Sequence, residues 1–345
     1  MSMMKVNKKV PLTDSALLDA RPTDIVIPIM GATGAGKSTF INLLLGHIGS
    51  QRARVRVGDQ LASCTYDLES VVIEGQTTQG RVRPVNLTEQ HRIVIVDTPG
   101  FDDTTASDFQ ILKRIANWLE ESFRRNMILG GVIYLHDISQ DRFSGTARRN
   151  LEMFNSLCGE AALDKVVLVT SKWSRHGGRD FKKRVEELQN VHWKEMLYPP
   201  QGGHGARVMQ LTPQEVQGRQ TLDRQEGASA WLVIHHILSQ LDRRLTKKTL
   251  DDVLQIQDEL VKRRKSIPET KAAKELREQL EAALRIQEEM LALESEAASG
   301  DPEAEKKLRE KEGQLREMHD AIQQNKLSLW ARITRKFRFQ WLTGR

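Results

Sequence analysis

Residues 31–38 read Gly-Ala-Thr-Gly-Ala-Gly-Lys-Ser, a complete G-x-x-x-x-G-K-[ST] loop, and the flanking sequence restricts the folds that can hold it. Upstream, Ile25-Val26-Ile27-Pro28-Ile29-Met30 has the continuous apolar run of a buried strand. Downstream, Thr39-Phe40-Ile41-Asn42-Leu43-Leu44-Leu45 places apolar residues at helical spacing and stops at Gly46. Strand, glycine loop and helix together are the context in which this motif works. Gly31, Gly34 and Gly36 let the backbone wrap round a phosphate, so that N–H groups along Ala32, Thr33 and Ala35 point inward. The helix start at Lys37-Ser38-Thr39 adds its partial positive charge. Lys37 is expected to reach the β- and γ-phosphates and to be the main catalytic cation, and Ser38 to offer its hydroxyl to Mg2+. The loop predicts a nucleoside triphosphate as ligand.

A second element strengthens that expectation. Arg92-Ile93-Val94-Ile95-Val96 reads as a short strand ending in Asp97-Thr98-Pro99-Gly100. An acid at the carboxyl end of a buried strand beside the first is where such folds hold the Mg2+ shell. Gly100, with no side chain, can bring its N–H close to the γ-phosphate. Asp-Thr-Pro-Gly could also be an ordinary turn, and only its place after a full phosphate loop argues otherwise.

The order Gly-Ala-Thr-Gly-Ala-Gly-Lys-Ser-Thr then Asp-Thr-Pro-Gly-Phe resembles the G1 and G3 motifs of GTPases, in particular the septin-like branch with the AIG1 (IAN) proteins and chloroplast import GTPases. It is especially similar to the fungal G-domain proteins related to them. Leu61-Ala62-Ser63-Cys64-Thr65 is similar to the segment carrying the switch I threonine there, which implies Thr65 as a catalytic and Mg2+-coordinating residue beside Ser38 and Asp97. Thr77 and Thr78 are the alternates, although Gly75 to Gly80 reads equally well as a hairpin turn. Gln140-Asp141-Arg142-Phe143-Ser144 is similar to the family box that follows its middle strand. The resemblance covers roughly residues 22–245. It implies an α/β P-loop NTPase fold, a G domain with a mostly parallel sheet and helices on both faces, binding GTP or GDP with Mg2+.

One position departs from the pattern. Guanine selection in the family rests on an Asn/Thr-Lys-x-Asp segment, whose counterpart here is Thr170-Ser171-Lys172-Trp173-Ser174. Lys172 matches the lysine that stacks along the base, and Ser174 stands where the aspartate belongs. A hydroxyl makes one hydrogen bond where a carboxylate accepts two, so preference for GTP over ATP is expected to be reduced. Trp173 either stacks on the base or caps the core. The last base-recognition segment should follow Ala206-Arg207-Val208-Met209-Gln210-Leu211, where no clear match is seen.

Binding does not imply fast turnover. The residue after Gly100, a water-orienting glutamine in Ras-like enzymes, is Phe101, which cannot polarise water. Slow hydrolysis follows, or a group borrowed from elsewhere; relatives that dimerise through their G domains suggest a homodimer. Arg142, His136, Asp102 and Asp103 are the candidates within the chain, each also readable as an ordinary loop residue. The alternatives are a GTP-binding scaffold with negligible hydrolysis and an ATPase. The latter is disfavoured because neither a Leu-Ser-Gly-Gly-Gln signature nor a double-acid strand end is present.

Composition bounds the rest. With 345 residues, 39% apolar and 28% charged, the chain can hold one large α/β core and an appendage. Cys64 and Cys158 make no disulfide framework and suggest a reducing, cytoplasmic setting; no apolar run approaches a membrane span and no signal peptide is evident. Residues 1–21 read as a flexible arm. From 22 to 245, helices are expected at Asp108–Phe123, Thr146–Cys158, Asp180–Met196 and Ser229–Leu245, alternating with the strands above and with Val132–His136 and Val166–Val169. Pro28 is awkward in a central strand, which cannot spare an N–H, and a local bulge is expected there.

Beyond Leu245 the composition turns to Glu, Lys, Arg, Gln, Leu and Ala. Leu276, Leu280, Ala283, Met290 and Ala297 form a weak heptad, broken at Ser299-Gly300-Asp301-Pro302, which predicts a helical hairpin or an intermolecular coiled coil over 246–325. Residues 326–345 carry Lys326, Arg332, Arg335, Lys336, Arg338 and Arg345 and no acid. Their six charges equal the +6 of the whole chain, so everything before them sums to zero. Trp330, Ile333, Phe337 and Trp341 would share one stripe of a helix, giving a basic amphipathic tail suited to an anionic membrane surface. Docking of the stripe onto the protein's own helices is equally compatible, and nucleic acid is the weaker reading.

Overall fold

The computed structural model describes residues 14–49, 68–74, 87, 90–101, 108–175, 181–200, 202–212, 222–246, 254–278 and 307. Seven strands make one sheet: β1 Ile25–Met30, β2 Glu69–Ile73, β3 Ile93–Asp97, β4 Ile128–Leu129, β5 Val132–Asp137, β6 Val166–Ser171 and β7 Arg207–Gln210. Their order is β2-β3-β1-β5-β6-β7, with β4 beside β1. Among the described strands, only the β2–β3 pair is antiparallel and the other pairings are parallel. The apolar runs required this, because a parallel sheet is covered on both faces and its strands cannot alternate with polar residues. All six residues of β1 and of β6, and all five of β3, are buried.

The two faces carry separate cores. Ile25, Ile27, Ile29, Ile95 and Leu135 face helices α2 Lys37–His47 and α7 Leu222–Thr246, through Phe40, Leu44, Ile234 and Leu241. Val26, Met30, Val94, Tyr134 and Leu168 face α3 Asp108–Arg124 and α4 Gly145–Cys158. Helices α5 Phe181–Glu187 and α6 Lys194–Leu197 contribute to that second core. Gly227 lets α7 cross close over α2, since a β-carbon there would lie 2.7 Å from the Leu43 carbonyl oxygen.

Several sequence expectations change in detail. Strand β1 has no bulge at Pro28, because its register with β3 runs unbroken from Ile25↔Ile93 to Ile29↔Asp97. The N–H of Ile25 donates to Arg92 on the β3 side, while the carbonyl of Val26 accepts from Gly130 on the other side. By alternation, Pro28 turns its missing donor toward β4 and β5. There the neighbour is interrupted: β1 pairs β4 at Ile25 and Val26 and β5 at Ile29 and Met30, with Gly130-Gly131 between. The proline lies where no partner waits. Helix α2 continues through Gly46 and ends instead before Gly49, which has a left-handed φ of 72°. The helix expected over Asp180–Met196 is split into α5, a π-turn Leu188–His192 and α6.

Two segments read as appendages join the domain. From Asp14 the N-terminal stretch is ordered: Asp14 caps the one-turn α1 Ser15–Leu18, Ala16 and Leu17 are buried, and the Ser70 hydroxyl donates to Asp14 at 2.5 Å. Beyond α7, Leu254 and the short α8 Gln255–Gln257 lie against α3 and α4 with Leu254, Ile256 and Leu260 buried. The Gln257 amide there donates to the Leu119 carbonyl at 3.0 Å. Apart from Lys307, the heptad region from Leu280 onward and the basic tail lie outside the described residues, as do the residues before Asp14.

Candidate functional site

The phosphate loop joins β1 to α2. Gly34 and Gly36 have φ of 76° and 96°, left-handed values that glycine adopts without strain. At Gly31 a β-carbon would collide with the carbonyl oxygen of Leu135 in β5. Lys37, almost fully buried, folds back over the loop and donates to the carbonyls of Gly31 and Ala32, each at 3.0 Å. Its ammonium therefore waits at the mouth of the loop, held by acceptors that a phosphate can replace. Thr39 is exposed one residue beyond Ser38.

The end of β3 closes the other side. Ser38 donates to Asp97 Oδ2 at 2.5 Å, and Thr98 donates to the Ile29 carbonyl at 2.8 Å, locking β3 to β1. A β-carbon on Gly100 would run into the backbone nitrogen of Thr33, so the glycine abuts the loop itself. Phe101 bridges to Ala32 and is buried in the α3-side core. Its side chain is packing, which explains why an apolar residue follows the glycine.

Asp97 is fully buried, and among the described residues its Oδ1 accepts no hydrogen bond. Burial pushes its carboxyl up from the ordinary value, opposed by the Lys37 charge and the Ser38 hydroxyl. A buried carboxylate oxygen without a partner, next to a serine hydroxyl, is a donor set that suits a hard divalent cation. The residues fit Mg2+. A raised folded-state pKa means the folded protein holds more protons than the unfolded chain. The stability penalty is then absent at low pH and grows as pH rises through the folded value. Asp97→Asn removes the penalty at neutral pH. We expect the magnesium-free variant to melt about 2–4 °C higher while losing the Mg2+-dependent part of nucleotide affinity; paired thermal melts and titrations with and without Mg2+ check both.

Toward β6 the site becomes polar again. The Ser171 hydroxyl lies 2.7 Å from the Ala35 carbonyl and 3.1 Å from that of His136, tying the strand end to the phosphate loop. Lys172 follows with a left-handed φ of 61°, a strained conformation for a side-chain-bearing residue, of the order of 1–3 kcal/mol. Its ammonium meets Asp137 Oδ2 at 2.6 Å. Trp173 turns into the core, its indole N–H donating to Thr170 and its ring edge-on to Phe181. Of its two readings, capping the core is the observed one. Ser174 is exposed.

The structure gathers Gly31, Ala32, Thr33, Gly34, Ala35, Gly36, Lys37, Ser38, Asp97 and Gly100 around the phosphate loop, and Lys172 follows Ser171, which is tied to that loop through Ala35. Thr65, Thr77, Thr78, Asp102, Asp103 and the segment 213–221 after β7 lie outside the described residues. Arg142 is exposed in the loop after β5. His136 is packed against Phe143 and Trp193, and burial holds it down at about 4, hence neutral at pH 7. Asp137 was missed by sequence reading. Its signal was the one that revealed Asp97, an acid closing a buried strand.

Residues 26–172 match the family model described as 50S ribosome-binding GTPase. They form a GTP-binding P-loop G domain. Solved structures similar to the chain include Toc33 from Arabidopsis thaliana in complex with GDP and Mg2+, at 18% identity and a TM-score of 0.44, covering 63% of this chain and 85% of that one. Toc33 with Mg2+ and GMPPNP gives 18% and 0.43, covering 66% and 87%. Chloroplast translocon components atToc33 and psToc159, whose dimerization is important for GTPase activity, give 16% and 0.43, covering 64% and 83%. Among curated proteins none matches the chain.

Proposed function

We propose that this protein is a Mg2+-dependent guanine-nucleotide switch or assembly factor of the septin-like, AIG1-type branch, with slow GTP hydrolysis. The observation that carries the reading is the convergence of Lys37, Ser38 and Asp97 on one loop mouth, with Asp97 Oδ1 accepting no hydrogen bond among the described residues. Lys37 would give up the loop carbonyls for the β- and γ-phosphates. Ser38 and Asp97, with Thr65 from switch I, would hold Mg2+, which supplies charge neutralisation between those phosphates. Gly100 would present its N–H at the γ-phosphate, and Lys172 would stack along the base.

Nothing in this set orients a water, so turnover needs a group from a second subunit, and a homodimer through the G domain is the arrangement we propose. The segment 22–245 is taken as the G domain, 246–325 as an extension and 326–345 as the tail that brings a cytoplasmic protein to an anionic membrane surface. No described helix is long and apolar enough to cross a membrane. Liposome sedimentation that survives deletion of 326–345 would contradict the tail's role.

The buried Phe101 favours a second reading, a GTP-binding scaffold with negligible turnover. Single-turnover hydrolysis across a range of protein concentrations separates the two. The switch reading predicts a rate near 10⁻⁴–10⁻³ s⁻¹ in dilute protein, about that of an unassisted GTPase, rising with concentration. Bound GTP that never releases phosphate at any concentration supports the scaffold.

A further inference from the structure

The segment that docks beyond α7 carries a sequence its packing does not need. Lys262-Arg263-Arg264-Lys265-Ser266-Ile267 sets four cations before a serine and an apolar residue after it, with arginine two and three positions upstream of the hydroxyl. Lys262, Arg263, Arg264 and Ser266 are exposed, and Ile267 is half-buried. Arg263 pairs with Asp258 at the surface, and Arg264 holds a left-handed φ of 53°, so the stretch is a strained turn that gains by opening. Ser266 itself is extended, with φ −76° and ψ 156°. Basophilic Ser/Thr kinases read this pattern: acidic pockets take the arginines, an apolar pocket takes the following residue, and the acceptor binds as extended chain. Arg243-Arg244-Leu245-Thr246 has the same arginine spacing but lies in α7, where the Thr246 hydroxyl donates to the Asp242 carbonyl at 2.9 Å. An acceptor wound into a helix does not fit such a cleft.

The serine is wired to the contacts that hold the segment down. Its N–H and its hydroxyl both donate to Glu269 Oε2, at 2.8 and 2.6 Å. Its neighbour Lys265 donates to Glu259 Oε1 at 2.8 Å. The Glu259 side chain is only 3% exposed, and its Oε2 accepts the Lys271 N–H at 2.9 Å. Glu259 therefore ties the turn 258–262 to the helix 271–278, and Ile256, Leu260, Ala272 and Ala273 are buried in the core that includes α3 and α4. The fit is close, since a β-carbon on Gly159 at the end of α4 would lie 2.6 Å from that of Gln255.

We infer that Ser266 is a phosphorylation site for a basophilic Ser/Thr kinase, and that the phosphate releases residues 254–278 from the G domain. Neither step requires nucleotide bound to this chain. In the transfer, Ser266 Oγ forms a bond to the γ-phosphorus of kinase-bound MgATP, and the bond from that phosphorus to the β,γ-bridging oxygen breaks. ADP leaves, and the hydroxyl proton passes to the kinase's base. The phosphate brings a charge of about −1.5 to −2 at pH 7. Glu269 then loses the hydroxyl donor and faces like charge, so the turn 266–269 opens. Lys265 gains a more highly charged partner one residue away. Its departure strands the buried Glu259 carboxylate without its counter-charge, which undoes the tie between the turn and the helix.

The test treats folded full-length protein with MgATP and a purified Ser/Thr kinase that requires arginine two and three residues before its acceptor. Wild type, Ser266→Ala, Arg264→Gln and Lys265→Met are compared, with phosphate located by mass spectrometry and hydrogen exchange followed before and after. Wild type is expected to take phosphate at Ser266, and Arg264→Gln to lower kcat/KM for that site by about tenfold or more. The amides of Asp258, Arg263 and Lys265, bonded within the segment, are expected to exchange at least about tenfold faster once Ser266 is phosphorylated, while β1 and β3 keep their protection. If the phosphate acts through Lys265, Lys265→Met exchanges fast before treatment and gains little from it. Phosphate on Thr246 and not Ser266, or Ser266 modified only in unfolded protein, overturns the inference. So does phosphorylated wild type that exchanges at the unmodified rate, or a Lys265→Met variant that phosphate loosens as much as wild type.

Discussion

Lys37→Ala is expected to abolish measurable GTP binding while leaving the protein folded. In the nucleotide-free protein the ammonium satisfies two loop carbonyls, those of Gly31 and Ala32. The Gly31 acceptor is buried and that of Ala32 partly so, and losing their donor costs about 1–3 kcal/mol, offset in part because the buried ammonium's own desolvation is removed with it. With triphosphate bound, the same ammonium faces two phosphates. Charge-assisted hydrogen bonds of this kind are worth about 1.5–3 kcal/mol each, so removing both costs on the order of a hundredfold to twenty-thousandfold in affinity. Lys37→Arg should not rescue, because a planar fork cannot take the place of a compact ammonium in a loop this tight. Calorimetric titration beside a thermal melt checks both halves: lost heat with a cooperative melt retained. Retained affinity in the alanine variant would mean that the loop does not carry the phosphates.

Arg92→Met is expected to be the most damaging single change to the fold among those that leave the nucleotide pocket untouched. The guanidinium is buried at the start of β3, bidentate to the fully buried Asp24 at 2.7 Å on each nitrogen. A third bond goes to Asp19 at 2.6 Å and a fourth to the Asp19 carbonyl at 2.6 Å. The cluster therefore pins the stretch after α1 to the sheet. Removing the arginine leaves Asp24 in the core with, among the described residues, only the Arg21 N–H donating to it. Breaking a buried pair in this way costs about 3–5 kcal/mol, or roughly 10 °C of melting temperature in a domain of this size. A double variant Asp24→Leu/Arg92→Met removes both charges and should recover a large part of the loss, because a buried pair is often replaceable by apolar residues. If the double variant melts no higher than the single one, the damage is lost packing rather than a stranded charge.

The phosphate end of the site was legible in the sequence, because its chemistry is local. The glycines, Lys37 and Ser38 lie within eight residues, and their geometry follows from one turn. Asp97 and Gly100 were readable for the same reason, as the end of an apolar strand. The base end was not. Lys172 could be found by its segment, but its partner Asp137 is 35 residues away and meets it only because β5 and β6 are neighbours in register. Pairing between strands leaves no trace in either strand alone.

Pro28 is the same lesson for the fold. It looks wrong until the break at Gly130-Gly131 is known, and that break belongs to a different part of the chain. The split of the helix over Asp180–Met196 was hidden because a π-turn has nearly the composition of a helix. Residues 14–18 and 254–278 were assigned by composition to an arm and an extension. Their attachment depends on a few buried contacts, those of Leu17, Leu254, Ile256 and Gln257, which polar surroundings masked.

The measurement that tests the central reading most directly is calorimetric titration of Mg2+-loaded protein with GTP, GDP and ATP. The account predicts tight binding of GTP and GDP and weaker binding of ATP, by a smaller margin than a carboxylate at position 174 would give, because the Ser174 hydroxyl offers one hydrogen bond in place of two. Equal affinities for GTP and ATP, or tighter ATP, would contradict it and leave a phosphate-binding domain with no choice of base.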